Sequence, residues 1–402
     1  MPHQNNKQII GLFGFGVVGE GLYHVLQNSH TTQASIKKIC IKHSEKKRSI
    51  PEKFFTLQAD EILNDDQINL VVELIDDSVE AFHIVKKALK KGKSVVSGNK
   101  KMLALNLPEL LEIQQESGAA LLYDASACGS IPVIRNLEEY YDNDLLLSIT
   151  GILNGSSNFV LSKVFNENFT YSEAVKIAQD SGFAESDPGL DMDGWDSLYK
   201  IVILALHGFG NHVNPNNIFV SGISNLAKED IRFAKEKQYR IKLVAQATKI
   251  NGKNFNLMVM PKMTTNDEYI YNVEDEYNGV VINGSFYEKQ FMFGKGAGAL
   301  PTGSSVLSDI TARMHNYRYE YKKRKYFTPP QHTNDVVVKI YLRFRNLLDF
   351  SHFEFESIEE KLSSKNYNYV IGNIRLSNLL NIKNLIHTLD VFLAFFESPE
   401  NG

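Results

Sequence analysis

The sequence predicts an α/β chain: a parallel, doubly wound sheet first, then an α+β half and a small α+β tail. Three observations carry this. An apolar strand, Lys7 to Phe13, runs directly into the glycine-rich turn Gly14-Phe15-Gly16-Val17-Val18-Gly19 and a helical pattern from Glu20 to Gln27. Further apolar runs of strand length, Leu70 to Leu74, Ser94 to Ser97 and Ala119 to Tyr123, alternate with helical stretches, as βαβ units require. From about Leu145 the strands instead follow one another in sequence, at Ile241 to Ile250, Phe255 to Pro261, Val280 to Asn283 and Phe291 to Gly294.

Composition bounds the function. The 402 residues suit two or three domains, and 43% hydrophobic with 22% charged residues is ordinary for a globular chain. A net charge of −4 leaves no basic footprint for nucleic acid. The polar start MPHQNNKQ lacks the apolar core of a leader, and no apolar run reaches the roughly 18–20 residues that span a bilayer. Two cysteines, Cys40 and Cys128, are too few for a disulfide framework, which fits a cytoplasmic enzyme.

In the first part, the glycines permit a tight turn and close approach of a pyrophosphate, which the following helix N-terminus attracts. The second strand, Ile36 to Ile41, ends in Lys42-His43-Ser44-Glu45-Lys46-Lys47-Arg48. No acid stands at its tip to accept the ribose hydroxyl of NAD, and Lys42 and its neighbours suit a 2′-phosphate. NADP(H) is therefore the expected cofactor and NAD(H) the alternative, a solvated basic loop being the simplest competitor. A helix from Ser78 to Lys91 precedes the strand that ends at Ser97, and Gly98-Asn99-Lys100-Lys101 follows at its carboxyl end, where open α/β sheets bind ligands. The small residues from Asp124 to Pro132 suit approach of backbone to a ligand or ion, and a helix from Val133 to Tyr141 closes a domain of residues 1–143.

In the second part, the strand Leu146 to Leu153 meets Asn154-Gly155-Ser156-Ser157-Asn158 and a helix from Phe159 to Phe165, a junction that suits N-caps or donors to a carboxylate. A short helix, Ala174 to Ser181, leads to a loop from Glu185 to Gly194 and a helix from Trp195 to Leu206. Glu185, Asp187, Asp191, Asp193 and Asp196 crowd this stretch, and Lys200 lies one helical turn after Asp196, as an ordinary surface ion pair or as an acid and an ammonium at a site. Gly294 to Ser305 begins a further helix to about Arg313, and Gly298 at its N-terminus is a second candidate cofactor contact.

Taken in order, GFGVVG, SGNK, GILNGSSNF, AESDPGLDMDGWDSLYK and GKGAGALPTGSSVLSD resemble homoserine dehydrogenase over residues 7–313. The resemblance implies NAD(P)H-dependent reduction of L-aspartate 4-semialdehyde to L-homoserine on the route to threonine and methionine. It implies a Rossmann domain, a substrate and dimerisation domain of residues 144–320, and a homodimer or higher homo-oligomer. Lys200 matches the family's proton donor, with Lys100 as relay and Asp196 as the acid one turn before. Glu185 and Asp191 match acids that hold the substrate amine, and Asn154, Gly155, Ser156 and Ser157 can supply the donors that its carboxylate needs. In relatives the loop at Asp124 binds a sodium-like cation, Na+ or K+, and Asp124, Ala127, Gly129 and Ile131 are the matching positions. This loop departs from the family in carrying Asp for Glu; Gly98 stands for Ala and Ser156-Ser157 for threonines.

After Arg313 the resemblance fades. Tyr321 to Lys325 reads as a solvated charge run and Pro329-Pro330 as a linker. A strand at Val336 to Phe344, a helix at Phe355 to Leu362, a strand at Tyr367 to Leu376 and a helix at Ile386 to Phe396 suggest a degenerate ACT-like module over residues 334–402. Phe344 to Ser351 holds neither glycine nor proline for an effector turn, while Leu347, Leu348, Phe350 and Phe353 suit packing. Threonine is therefore expected to change the rate little. The competing functions are an oxidoreductase for another amino-acid-like aldehyde and a silent NADP-binding regulator; joint retention of Lys100, Asp196 and Lys200 argues against the latter.

Overall fold

A computed structural model describes residues 7–30, 32–365 and 367–397. The chain forms two compact units, Met1–Tyr140 with Lys295–Tyr321, and Tyr141–Gly294 with Lys322–Gly402.

The first unit is a Rossmann-like domain built on six parallel strands: β1 (Gln8–Phe13), β2 (Ala34–Cys40), β3 (Phe55–Thr56), β4 (Leu70–Glu73), β5 (Ser94–Ser97) and β6 (Leu121–Leu122). Their spatial order is β3-β2-β1-β4-β5-β6, so the winding reverses between β1 and β4. That reversal opens the crevice where such sheets bind ligands. The apolar runs of β4 and β5 are buried on both faces, which is why they show no alternation.

The helix Ala299–Met314 belongs to this unit rather than to the 144–320 domain in which the sequence reading placed it. The cause is a glycine contact. A Cβ on Gly21 would lie 2.1 Å from the carbonyl oxygen of Ala299, and one on Gly303 2.7 Å from the Leu22 nitrogen, so the helices Val17–Gln27 and Ala299–Met314 touch backbone to backbone.

The second unit holds one mixed sheet. Its strands are β7 (Leu146–Ile152), β8 (Phe219–Val220), β9 (Arg240–Lys249), β10 (Asn254–Thr264), β11 (Tyr277–Gly284), β12 (Glu288–Lys295), β13 (Gln331–His332), β14 (Val337–Phe344), β15 (Phe355–Ser363), β16 (Asn368–Arg375) and β17 (Val391–Phe395). They run in the order β12-β11-β7-β9-β10-β17-β14-β16-β15, with β8 and β13 also pairing β10. Pro329-Pro330 is thus followed at once by a paired strand, and the charge run is a helix, Lys322–Tyr326, in which Lys323 is buried and donates to the Gly208 carbonyl at 2.5 Å.

The C-terminal segment differs from expectation in two elements. Phe355–Ser363 is a strand, not a helix: bulges between Phe355 and Ser357 and between Ile358 and Glu360 shift its register, so apolar residues at 355, 358 and 362 mimic helical spacing. The expected helix at 386–396 is the end of the short helix Lys383–Ile386 followed by β17, whose five residues are all buried and so read as a continuous apolar run. The order strand, helix, strand, strand, helices, strand, laid out as β17-β14-β16-β15, is a split βαββαβ with very short helices. Val338, Ile340, Leu342 and Leu393 share one core with Phe219, Val244, Met258 and Met260. A chain lacking the segment would open that core. Among the described residues no helix is long and apolar enough to cross a membrane.

Candidate active site

In the first unit the glycines divide by cause. A Cβ on Gly14, at φ +92°, would stand 2.6 Å from the Leu74 carbonyl oxygen, and one on Gly19 2.4 Å from that of Gly14. A Cβ on Gly16 would meet nothing within 4 Å, so the space beside it is open for a ligand. The helix Val17–Gln27 starts there with no side-chain cap, leaving backbone N–H groups for an anion. Phe15 stands edge-on to Phe55 at 5.4 Å, while Val17 is exposed and Val18 half-buried.

Beyond β2, Lys42, Lys46 and Lys47 are exposed, whereas Arg48 donates to the carbonyls of His43 and Lys46 and lies 5.1 Å over the Phe55 ring. Arg48 therefore shapes the loop. Asn99 follows Ser97 and Gly98 and caps the helix Lys100–Ser117, its Oδ1 accepting from the Met102 N–H at 2.9 Å; Lys100 is the first helical residue and is half-buried. Gly298, at φ +118°, likewise precedes an uncapped helix start.

The loop after β6 is not open coil, since Ala125–Cys128 is one helical turn. Buried Asp124 accepts from the Arg135 N–H at 3.2 Å, and its own N–H donates to Asp309 at 2.9 Å. Arg135 also reaches Asp309, at 2.5 Å. Burial, then repulsion from Asp124, pushes the Asp309 carboxyl up to about 7, opposed by the Arg135 guanidinium. Two carboxylates, Asp124 and Asp309, thus stand against one guanidinium, that of Arg135.

In the second unit Asp191, Asp196 and Lys200 of the sequence-predicted set meet. Gly194, at φ +87°, turns the chain into the helix Trp195–Phe209, which buries Asp196 and Lys200 along with its apolar face. Lys200 Nζ donates to Asp196 Oδ2 at 2.6 Å and to the Leu153 carbonyl at 2.7 Å. Asn154 ties the cluster together: its Nδ2 donates to Asp191 at 2.7 Å and Asp196 at 2.9 Å, and its Oδ1 caps the helix Gly155–Glu167 through the Ser157 N–H. Gly155 lets the Glu276 carbonyl approach, where a Cβ would stand at 2.5 Å, and Ser156 donates to the Phe183 carbonyl at 2.5 Å. Burial first, then the Asp196 charge, raises the Asp191 carboxyl above its ordinary range, against the hydrogen bond from Asn154 and the Lys200 charge. Glu185 lies exposed, outside these bonds.

This is an ammonium held between a carboxylate and a carbonyl beside a carboxylate that burial makes eager for a cation, in a chain that also carries a dinucleotide-type turn. Family models described as homoserine dehydrogenase and as its NAD binding domain match residues 132–311 and 14–124. Homoserine dehydrogenase of Bacillus subtilis is 33% identical over 83% of this chain and 80% of its own length. The chain belongs to the homoserine dehydrogenase family. The Neisseria gonorrhoeae enzyme is 35% identical over 75% of this chain and 71% of its own. The crystal structure of the Thiobacillus denitrificans homoserine dehydrogenase superposes with a TM-score of 0.84 at 26% identity, covering 98% of this chain and 99% of that one. A hyperthermophilic archaeal homoserine dehydrogenase in complex with NADPH has a TM-score of 0.67 at 26% identity, covering 78% and 99%. The activity is that of the family: NAD(P)-dependent oxidoreduction at a CH–OH group in amino-acid biosynthesis.

Two functional candidates escaped the sequence reading. Asn278 donates to the same Leu153 carbonyl, at 2.9 Å, on which Lys200 rests, and nothing in Tyr277-Asn278-Gly279 signals this. Glu73 is an acid inside the apolar run Leu70 to Ile75, and that intrusion was a legible signal.

Proposed function

We propose that the chain interconverts L-aspartate 4-semialdehyde and L-homoserine, with Lys200 as the proton donor to the carbonyl oxygen and acceptor in reverse. The observation that carries this is the Lys200 ammonium fixed by Asp196 and the Leu153 carbonyl. Two of its three N–H groups hold it in place, which leaves one to point at a reacting oxygen. Residues 14–19 with Ser97, Gly98 and Gly298 would hold a nicotinamide dinucleotide, which would supply or take the hydride. Asp191 binds the substrate ammonium, which would relieve its repulsion with Asp196, and Glu185 adds a second carboxylate. The N-terminus of the helix Gly155–Glu167, with Gly155 and Ser156, receives the substrate carboxylate. Lys100 is proposed as a relay. A Na+ or K+ ion would be held by Asp124 with the carbonyls of Ala127, Gly129 and Ile131 and would serve as a structural counter-charge.

Lys42 at the end of β2 favours NADP(H), because a cation there meets a 2′-phosphate and no acid competes for the ribose. Initial rates of NADPH and NADH oxidation with L-aspartate 4-semialdehyde test both activity and preference. We expect the higher kcat/KM with NADPH and a narrowed difference in Lys42→Ala; a higher kcat/KM with NADH would reject the preference. Light scattering under the assay conditions reads the expected homodimer or larger assembly.

The split βαββαβ tail is best read as a degenerate ACT-like module used for packing, since its strands continue the substrate-domain sheet and share its core. Threonine at millimolar concentration should leave the rate of the full chain nearly unchanged. Saturable inhibition would contradict this.

A further inference from the structure

The strand β4 ends on a carboxylate that no step above uses. Glu73 is fully buried and lies in register with Phe13 of β1 on one side and Ser97 of β5 on the other. It therefore stands at the reversal of the sheet, between the residue that precedes the Gly14 turn and the residue that precedes Gly98-Asn99-Lys100. Both of its oxygens are occupied. Oε2 accepts from the Ser97 hydroxyl at 2.6 Å and Oε1 from the Ile75 N–H at 2.8 Å. Asn99 closes a ring: its N–H donates to Ser97 Oγ at 3.2 Å and its Nδ2 to the Ile75 carbonyl at 2.9 Å. The turns that follow β4 and β5 are thereby locked together at the ligand-binding edge, through the same Asn99 that caps the Lys100 helix.

Holding that ring does not require a carboxylate. A glutamine could accept from Ile75 and donate to Ser97, without the penalty of an ionised group buried away from any cation. Among the described residues no cation pairs with Glu73. Burial pushes its carboxyl up to about 7; the bonds from Ser97 and Ile75 pull the other way, and Asp76 adds repulsion. A titrating acid at a ligand-binding edge breaks the local rule for a core, and such breaks mark functional positions.

We propose that Glu73 is a positioning residue for the dinucleotide: through Ser97 and Asn99 it sets the two turns at the cofactor edge, and its own charge makes cofactor affinity depend on its proton. The proposal rests on the Rossmann-like domain being the cofactor site. Glu73 gains its negative charge as pH rises through about 7. An added negative charge under a low-dielectric edge repels the phosphates of the dinucleotide, so affinity falls as pH rises through about 7. Asp76 and Asp77 in the turn after β4, Glu80, His83, Lys86, Lys87 and Lys90 on the helix Ser78–Lys90, Lys100 and Lys101 at the start of the helix after β5, and Asp309 and Arg313 on the helix Ala299–Met314 are charged or titratable groups on the elements packed against this part of the sheet; β1 offers none at its end. Glu73→Gln leaves all of them in place.

The test is titration of NADPH and NADH emission with the full chain at pH 6 and pH 8. NADH is included because it lacks the 2′-phosphate, whose own titration would confuse the result. Wild type should bind both nucleotides several-fold more weakly at pH 8. Glu73→Gln should bind at both pH values as wild type does at pH 6, and Glu73→Ala should bind weakly throughout because the ring is broken. If Glu73→Ala does not fold, the glutamine variant carries the test alone. The same pH dependence for NADH in wild type and Glu73→Gln would overturn the proposal while leaving the cofactor site intact. Failure of wild type to bind either nucleotide would remove the cofactor site itself, and the proposal with it.

Discussion

Replacing Lys200 by alanine is expected to lower kcat by about 10²–10⁴-fold, the usual contribution of a placed general acid or base. The methyl group leaves the buried Asp196 charge without its cation, a loss of about 3–5 kcal/mol, although Asn154 still donates to Asp196 and Asn278 to the Leu153 carbonyl. NADPH binding should be unchanged, because the glycine turn and its helix lie in the first unit. The measurement is steady-state rate beside NADPH affinity and the circular dichroism spectrum. A folded variant with near-wild-type kcat would remove Lys200 from the chemistry.

Asp196→Ala should damage both stability and rate. The Asp196 and Lys200 side chains are only 7% and 9% exposed, and removing one partner of a buried pair typically costs about 3–5 kcal/mol because the other charge is left without compensation. Asn154 also loses one acceptor, although it keeps Asp191 and its capping role. Asp196→Asn keeps the shape while removing the charge, so it should be the milder variant in denaturant unfolding. A denaturation midpoint for Asp196→Ala equal to wild type would show that the pair is solvated rather than buried.

Much of this was legible in the residues. The strand, the GFGVVG turn and the following helix predicted the first domain because one glycine spacing serves turn, ligand and helix packing at once. The spacing of Asp196 and Lys200 predicted a shared helical face, and the structure adds Asn154 as the side chain that joins them to Asp191. Long-range contacts were not legible. The helix Ala299–Met314 returns to the first unit through Gly21 and Gly303, positions some 280 residues apart in sequence whose contact no local pattern encodes. The bulges of β15 disguised a strand as a helix, and the buried β17 looked like a helix because both its faces are apolar. Glu73 was visible as an acid in an apolar run, but its meaning depends on Ser97 and Asn99, which only the sheet register brings beside it.

The most direct measurement is the loss of NADPH absorbance when L-aspartate 4-semialdehyde is added to the full-length chain, with the product identified by mass. The account predicts catalytic turnover that yields homoserine, lost on Lys200→Ala while NADPH still binds. NADPH binding without turnover, or turnover only with a different aldehyde, would contradict it.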